Sequence, residues 1–140
     1  MKRHLLAAVA VVATCAAAPA FAAGNLVQNG GFTSGLDGWS TFGDTSFTVL
    51  TGGDALFGPF GDTGGIFQDL ATTAGKTYRI SFDLMNDSGP GGKYFAADFG
   101  PTNLISAVDQ PGYAYTTFTY LAKAGSPTSR LAFTFREDPG

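Results

Sequence analysis

Apolar and polar side chains alternate along several short segments of this chain. The clearest segment is 77–85, in which every second residue is apolar and its neighbours are mostly polar. A side-chain period of two is typical of a strand with one buried face and one solvated face. The same pattern predicts strands at 93–99, 113–121 and 129–136. Shorter apolar runs predict further strands at 26–28, 39–42, 47–50, 66–70 and 104–107.

Clusters of Gly, Pro, Asn and Asp separate the predicted strands, as in Asn29-Gly30-Gly31 and Gly125-Ser126-Pro127. These residues favour the backbone angles that reverse the chain. No long stretch has the i, i+3, i+4, i+7 apolar spacing of an amphipathic helix. About eight or nine short strands without helices predict an all-β fold, an antiparallel β-sandwich of the jelly-roll type. The chain has 13 Phe residues, and alternating Phe side chains from two sheets can fill such a core without disulfides.

The alternation also predicts which side chains face outward. In 93–99, Phe95, Ala97 and Phe99 are expected inside, and in 113–121 the inward residues are Phe118 and Tyr120. If the strands share one sheet, their outward polar side chains form a common surface. The outward set of interest is Arg79, Asp83, Tyr94, Asp98, Tyr113 and Tyr115.

The first 22 residues differ from the rest. A basic start, Met1-Lys2-Arg3-His4, precedes an apolar run at 5–18 and the small-x-small triplet Ala20-Phe21-Ala22. This is typical of a secretory signal peptide, so residues 1–22 are predicted to be removed after Ala22. The apolar run is shorter than the roughly 20 residues of a membrane span. Residues 23–140 are therefore expected to form one secreted, extracellular or cell-surface domain that is not inserted in a membrane.

Removing the leader also removes the only histidine, His4, and the only cysteine, Cys15. The domain then has no imidazole base, no thiolate nucleophile and no Cys/His zinc site, which predicts a protein that is not an enzyme. Six cationic and eleven acidic side chains remain, a net charge of −5. Nucleic acid is not an expected partner, because phosphate binding needs clustered Lys and Arg.

Asp and Glu side chains are the remaining candidates for catalysis or metal binding. Glycoside hydrolysis needs two of them, and the candidate pairs are Asp83 with Asp98 and Glu137 with Asp138. The preferred interpretation is a solvated strand face and an acidic turn. Five further carboxylates lie among Gly and Ser, where they are expected to cap turns, with a structural calcium ion as the alternative. They are Asp37, Asp44, Asp54, Asp62 and Asp87. No cofactor is predicted otherwise.

Two segments resemble the opening of carbohydrate-binding-module-like (galactose-binding-like) jelly rolls. They are Asn25-Leu26-Val27-Gln28-Asn29-Gly30-Gly31-Phe32 and Gly35-Leu36-Asp37-Gly38-Trp39. Later segments at 74–84, 115–120 and 131–139 are similar to the same scaffold in exported bacterial proteins with a PEP-CTERM sorting tail. The resemblance implies a jelly roll, export and a carbohydrate ligand.

The sequence departs from this resemblance in two places. Thr33 stands where many relatives have the Glu of a structural calcium site, and Gly140 falls where the last strand is expected to begin. The resemblance therefore implies a sandwich that lacks its last strand, its sorting tail and both calcium carboxylates. An unpaired neighbour of 129–136 is expected to leave an open sheet edge, through which the protein self-associates.

The leading functional hypothesis is a non-catalytic module that binds polysaccharide or a cell-surface glycan. An aromatic ring beside hydrogen-bonding groups suits a pyranose, and the candidates are the outward tyrosines with Arg79, Asp83 and Asp98. Exposed tyrosines also follow from β propensity alone. Trp39 is expected in the core, and Phe60 either on a loop or plugging one end of the sandwich. The alternative is a structural cell-surface or biofilm-matrix protein that assembles without binding glycan.

Overall fold

The computed structural model describes residues 5–14, 24–46, 48–51, 53–86 and 91–138. This part of the chain contains ten β-strands and no helix, and hence no helix of the length and apolarity that crossing a membrane requires. The strands are β1 (Leu5–Thr14), β2 (Ser40–Gly43), β3 (Thr48–Thr51), β4 (Asp54–Phe57), β5 (Gly64–Ala71), β6 (Thr77–Asn86), β7 (Lys93–Phe99), β8 (Thr102–Val108), β9 (Tyr113–Lys123) and β10 (Thr128–Glu137).

The strands form two five-stranded sheets that pack face to face. Sheet A has the order β3-β4-β1-β6-β9, and sheet B has the order β2-β5-β10-β7-β8. Every pair of neighbouring strands is antiparallel. The prediction of an all-β antiparallel sandwich is confirmed, while the jelly-roll assignment stays a prediction.

Side-chain alternation places the strands correctly where it is longest. The prediction for 93–99 matches β7 residue for residue, and those for 77–85 and 129–136 fall within β6 and β10. Two short segments are wrong: residues 26–28 lie outside any strand, and β4 was not predicted. Both are four residues or shorter, too few for a period of two to be distinctive.

Aromatic rings fill the space between the sheets. Phe82 of sheet A meets Phe133 of sheet B edge-on, with ring centroids 5.2 Å apart. Phe57 stacks on Phe135 at 4.5 Å. Trp39 is buried as expected, and its indole nitrogen donates a hydrogen bond to the Asn29 carbonyl at 3.1 Å. Offset and edge-on contacts between buried rings stabilise the core beyond their burial alone.

The segment predicted as the apolar part of a leader lies inside sheet A. Strand β1 pairs with β6 from Leu5 opposite Asn86 to Thr14 opposite Thr77. On its other side, Leu6 lies opposite Leu56 of β4. The predicted cleavage triplet Ala20-Phe21-Ala22 lies outside the described residues, and removal of the leader stays a prediction.

The sheet edges differ from the expected ones. Strand β10 was expected to have an unpaired neighbour, but it lies between β5 and β7 in the middle of sheet B. The outermost strands are β3 and β9 in sheet A and β2 and β8 in sheet B. Strand order depends on pairings between distant segments, which the local alternation pattern does not contain.

Candidate functional site

The six side chains predicted to face outward do not share one surface. Strand β6 belongs to sheet A and β7 to sheet B. Arg79 and Asp83 therefore lie on the outer face of sheet A, and Tyr94 and Asp98 lie on the outer face of sheet B. The expectation of a common Tyr/Asp/Arg surface is wrong, because its condition, that these strands lie in one sheet, is not met.

The placement of β6 and β7 in different sheets also excludes Asp83 and Asp98 as a catalytic pair for glycoside hydrolysis. Asp83 and Asp98 lie on opposite faces of the sandwich, with the aromatic core between them. Each also has a local partner: Asp83 accepts a hydrogen bond from the Thr117 hydroxyl, and Asp98 accepts one from the Asn103 amide at 2.9 Å. They cannot act together on one glycosidic bond.

Tyr113 faces inward, contrary to the alternation. An irregularity in the β6–β9 register places Leu84 opposite Thr116 but Asn86 opposite Tyr113. The extra residue in β9 turns Tyr113 to the core side, where its ring meets Phe118 edge-on with centroids 6.2 Å apart. Burial, with a smaller effect of Tyr120, raises the pKa of the Tyr113 phenol. Its hydroxyl therefore stays protonated at neutral pH.

Tyr94 and Tyr113 both line a cleft at one end of the sandwich, which we call the end cleft. Strand β6 ends there, β7 begins, β10 ends and the β8–β9 loop crosses. The space between the lining residues amounts to about 420 Å³, including the part open to solvent. The lining residues are Phe57, Asn86, Lys93, Tyr94, Phe95, Ala107, Gln110, Tyr113, Arg136 and Glu137.

Two buried polar side chains line the end cleft. Asn86 is 7% exposed, and its amide donates to the carbonyls of Gln110 at 2.9 Å and Pro111 at 3.1 Å. These bonds hold the β8–β9 loop against the end of β6. Glu137 is 6% exposed, so the expectation that it belongs to a solvated acidic turn is wrong. Its backbone N–H donates to the Pro59 carbonyl at 2.8 Å, which fixes the end of β10.

Charged groups form the rim of the end cleft. The Arg136 guanidinium donates from Nε to both carboxylate oxygens of Asp138, at 3.0 and 3.1 Å. This contact raises the pKa of Arg136, which stays charged. The backbone N–H of Lys93 donates a hydrogen bond to the Asp109 carboxylate at 2.8 Å. The backbone N–H of Asp109 donates one to the Lys93 carbonyl, also at 2.8 Å.

A second, more open depression adjoins the end cleft on the outer face of sheet B. It shares Lys93, Tyr94 and Arg136 with the cleft and extends over Thr134 and Val108. Its empty space amounts to about 920 Å³, including solvent. Tyr94 thus lines both depressions.

The other predicted aromatic candidates lie elsewhere. Tyr115 is 46% exposed on the edge strand β9 and does not line the end cleft. Trp39 belongs to the core, as expected. Phe60 is 47% exposed on the loop after β4, where its backbone forms a bridge with Glu137. Of the two expectations for Phe60, the exposed loop position is the observed one.

The described side chains offer no ready metal centre, since none of them form a group of three His, Cys, Asp or Glu residues close enough to hold an ion. Asp44 acts as a turn cap instead: its carboxylate accepts hydrogen bonds from the backbone of Ser46 at 2.9 Å and of Phe60 at 3.3 Å. The hydrogen bonds to Ser46 are the main cause of a lowered pKa at Asp44. Asp87 lies outside the described residues.

Comparisons with protein-family models, with curated proteins and with solved structures found no match to this chain.

Proposed function

We propose that this protein is an exported, non-catalytic carbohydrate-binding module that binds a polysaccharide or cell-surface glycan at the end cleft. The observation that carries the proposal is the convergence of two tyrosines with amide, guanidinium and carboxylate groups in one concave site. Ligand sites of this kind combine apolar walls with a few fixed polar groups.

Each group has a role that its position supports. The half-buried Tyr94 ring offers an apolar face for a pyranose at the junction of the two depressions. Tyr113 is held by Phe118 and presents a protonated hydroxyl. Arg136, fixed by Asp138, donates to sugar hydroxyls from the rim. Because Tyr113 and Arg136 are held by other contacts, little of their side-chain entropy is lost on binding.

The sequence adds support from outside the site. The predicted signal peptide directs the domain to a compartment where polysaccharides are abundant. The segments that resemble galactose-binding-like jelly rolls of PEP-CTERM proteins favour the same function. The absence of histidine and cysteine from 23–140 favours binding over catalysis.

The proposal is tested by affinity gel electrophoresis in gels that contain different neutral and acidic polysaccharides. We expect at least one polysaccharide to retard the protein, and Tyr94→Ala to weaken that retardation about tenfold, since a lost ring contact of about 1.4 kcal/mol changes affinity by that factor. Tyr115→Ala is the matched control, because it removes an exposed tyrosine outside the cleft. Its retardation should equal that of the parent protein.

Two results would count against the proposal. One is the absence of retardation by every polysaccharide, and the other is an equal loss in the two tyrosine variants. If the protein instead associates with itself at rising concentration and binds no glycan, the structural matrix protein becomes the better account. The exposed Leu121 on edge strand β9 is the feature that favours this second function.

A further inference from the structure

Strand β1 is the central strand of sheet A, and its pairing connects the two halves of the sheet. Strand β1 forms a ten-residue antiparallel ladder with β6, from Leu5 opposite Asn86 to Thr14 opposite Thr77. It also joins β6 to the β3–β4 hairpin. Yet β1 lies within the 22 residues that the sequence predicts to be removed on export. The strand that completes sheet A, β1, is therefore expected to be removed with the leader.

Removal of β1 would leave an unfavourable surface. The side of β6 that faces β1 would lose the backbone partners of its ladder, and unpaired backbone groups cost free energy wherever water does not reach them. Beside them, Ile80, Phe82 and Leu84 are no more than 2% exposed. Opening the sheet would bring this apolar surface toward solvent. The vacated position is thus a strong acceptor for another strand.

We infer that the position between β4 and β6, which we call the strand slot, accepts an extended strand donated by another polypeptide, and that β1 holds the slot until the leader is removed. The donor runs antiparallel to β6 over about ten residues, as β1 does. This inference rests on the predicted cleavage and is independent of glycan binding in the end cleft.

The register defines the chemistry of the donor. Positions opposite buried β6 residues are filled by small apolar residues: Ala7 opposite Leu84, Val9 opposite Phe82, Val11 opposite Ile80 and Ala13 opposite Tyr78. The intervening positions lie opposite Arg79, Ser81 and Asp83, which face outward. The donor therefore needs alternate small apolar residues on one face and tolerates polar ones on the other. Main-chain ladders of this kind bind peptides, whereas a saccharide cannot reproduce them.

A second copy of this chain is a poorer donor. Each of the strands β2 to β10 is already paired within its own sandwich. Donating one of them would break a sheet in order to complete another. A strand from a different polypeptide carries no such penalty.

The experiment starts from the full chain, with a protease recognition sequence placed at residues 16–21. The folded protein is cut there, so that β1 stays in the slot without a covalent link. A fluorescent peptide of residues 5–14 is then added in excess, and its incorporation is followed by anisotropy. We expect the labelled peptide to replace β1, and hydrogen exchange of the β6 amides to remain slow in the exchanged complex.

Two single changes in the peptide form a matched pair. Val9→Lys places a charge opposite the buried Phe82, whereas Ala8→Lys places the same charge opposite the outward Asp83. We expect Val9→Lys to weaken competition at least 100-fold, because opposite residues of paired strands share a face of the sheet and an unpaired charge beside buried Phe82 is costly. Ala8→Lys should change competition less than threefold. Equal competition by the two peptides, no exchange after cutting, or dimers formed in place of exchange would each overturn the inference.

Discussion

Two leucines show how far position decides the contribution of one side chain. Leu131 of β10 is fully buried, whereas Leu121 of β9 is 68% exposed. We expect Leu131→Ala to lower the free energy of unfolding by about 2–5 kcal/mol, since it leaves a cavity in a close-packed core. Leu121→Ala should change it by no more than about 0.5 kcal/mol. Urea denaturation followed by circular dichroism measures both, and a similar loss in the two variants would contradict the assigned core.

Arg130 shows how a charged residue is held on the surface. Its guanidinium makes two hydrogen bonds to Asp69, at 2.8 and 3.0 Å, and lies 3.8 Å from the centre of the Phe67 ring. The contact with Arg130 lowers the pKa of Asp69. About half of each charged side chain is exposed, so the ion pair is screened by solvent and contributes little to stability.

Asn86 and Glu137 are the two buried polar residues of the end cleft, and neither was among the predicted site residues, nor were Lys93, Gln110 and Arg136 on its rim. Asn86 continues the buried series 78, 80, 82 and 84, and Glu137 continues the series 131, 133 and 135. Extending the period of two by one step would have placed both inside. The polarity of Glu137 argued for a turn, but the ends of inward strand faces are where a ligand site can carry buried polar groups.

At the scale of the strand, one irregularity decides the composition of the end cleft. Alternation from Phe118 places Tyr113 on the outer face, but the extra residue near Ala114 and Tyr115 turns it inward. Bulges of this kind re-aim side chains at sheet edges. No glycine or proline lies within 113–121, so alternation alone could not predict this bulge.

The pairing of β5 with β10 depends on the absence of a side chain at Gly65. A Cβ atom at this position would lie 2.0 Å from the Phe133 carbonyl oxygen and 2.6 Å from the Phe42 ring. Because the carbonyl belongs to the paired backbone, the strands would have to separate. We expect Gly65→Ala to lower the free energy of unfolding by about 1–3 kcal/mol or more.

Gly125 provides the control for this substitution. A Cβ atom there meets nothing within 4 Å, and the backbone does not adopt a positive φ. Gly125→Ala should therefore leave the free energy of unfolding within about 0.5 kcal/mol of the parent value. Thermal unfolding of the two variants in parallel tests the assigned approach of β5 to β10, which an unchanged Gly65→Ala would contradict.

At the scale of the whole molecule, the local side-chain pattern predicted the strands but not their arrangement into two sheets. The long strands and their buried faces were predictable, because each buried face requires apolar residues two apart, as in Tyr78 to Leu84. The assignment of β6 and β7 to different sheets was not predictable from the sequence, because it depends on contacts between distant segments. That arrangement separates Arg79 and Asp83 from Tyr94, and together with the bulge in β9 it lets Tyr94 and Tyr113 line the same cleft.

We propose the end cleft as the ligand site of the molecule. Its most direct test is a titration of the ¹⁵N-labelled protein with oligosaccharides of cellulose, xylan, mannan and alginate, followed by two-dimensional NMR. We predict that at least one of them shifts the backbone signals of Tyr94, Gln110 and Tyr113 and leaves those of Arg79 and Tyr115 unchanged. Shifts centred on Arg79 and Tyr115, or no shifts with any saccharide, would contradict it.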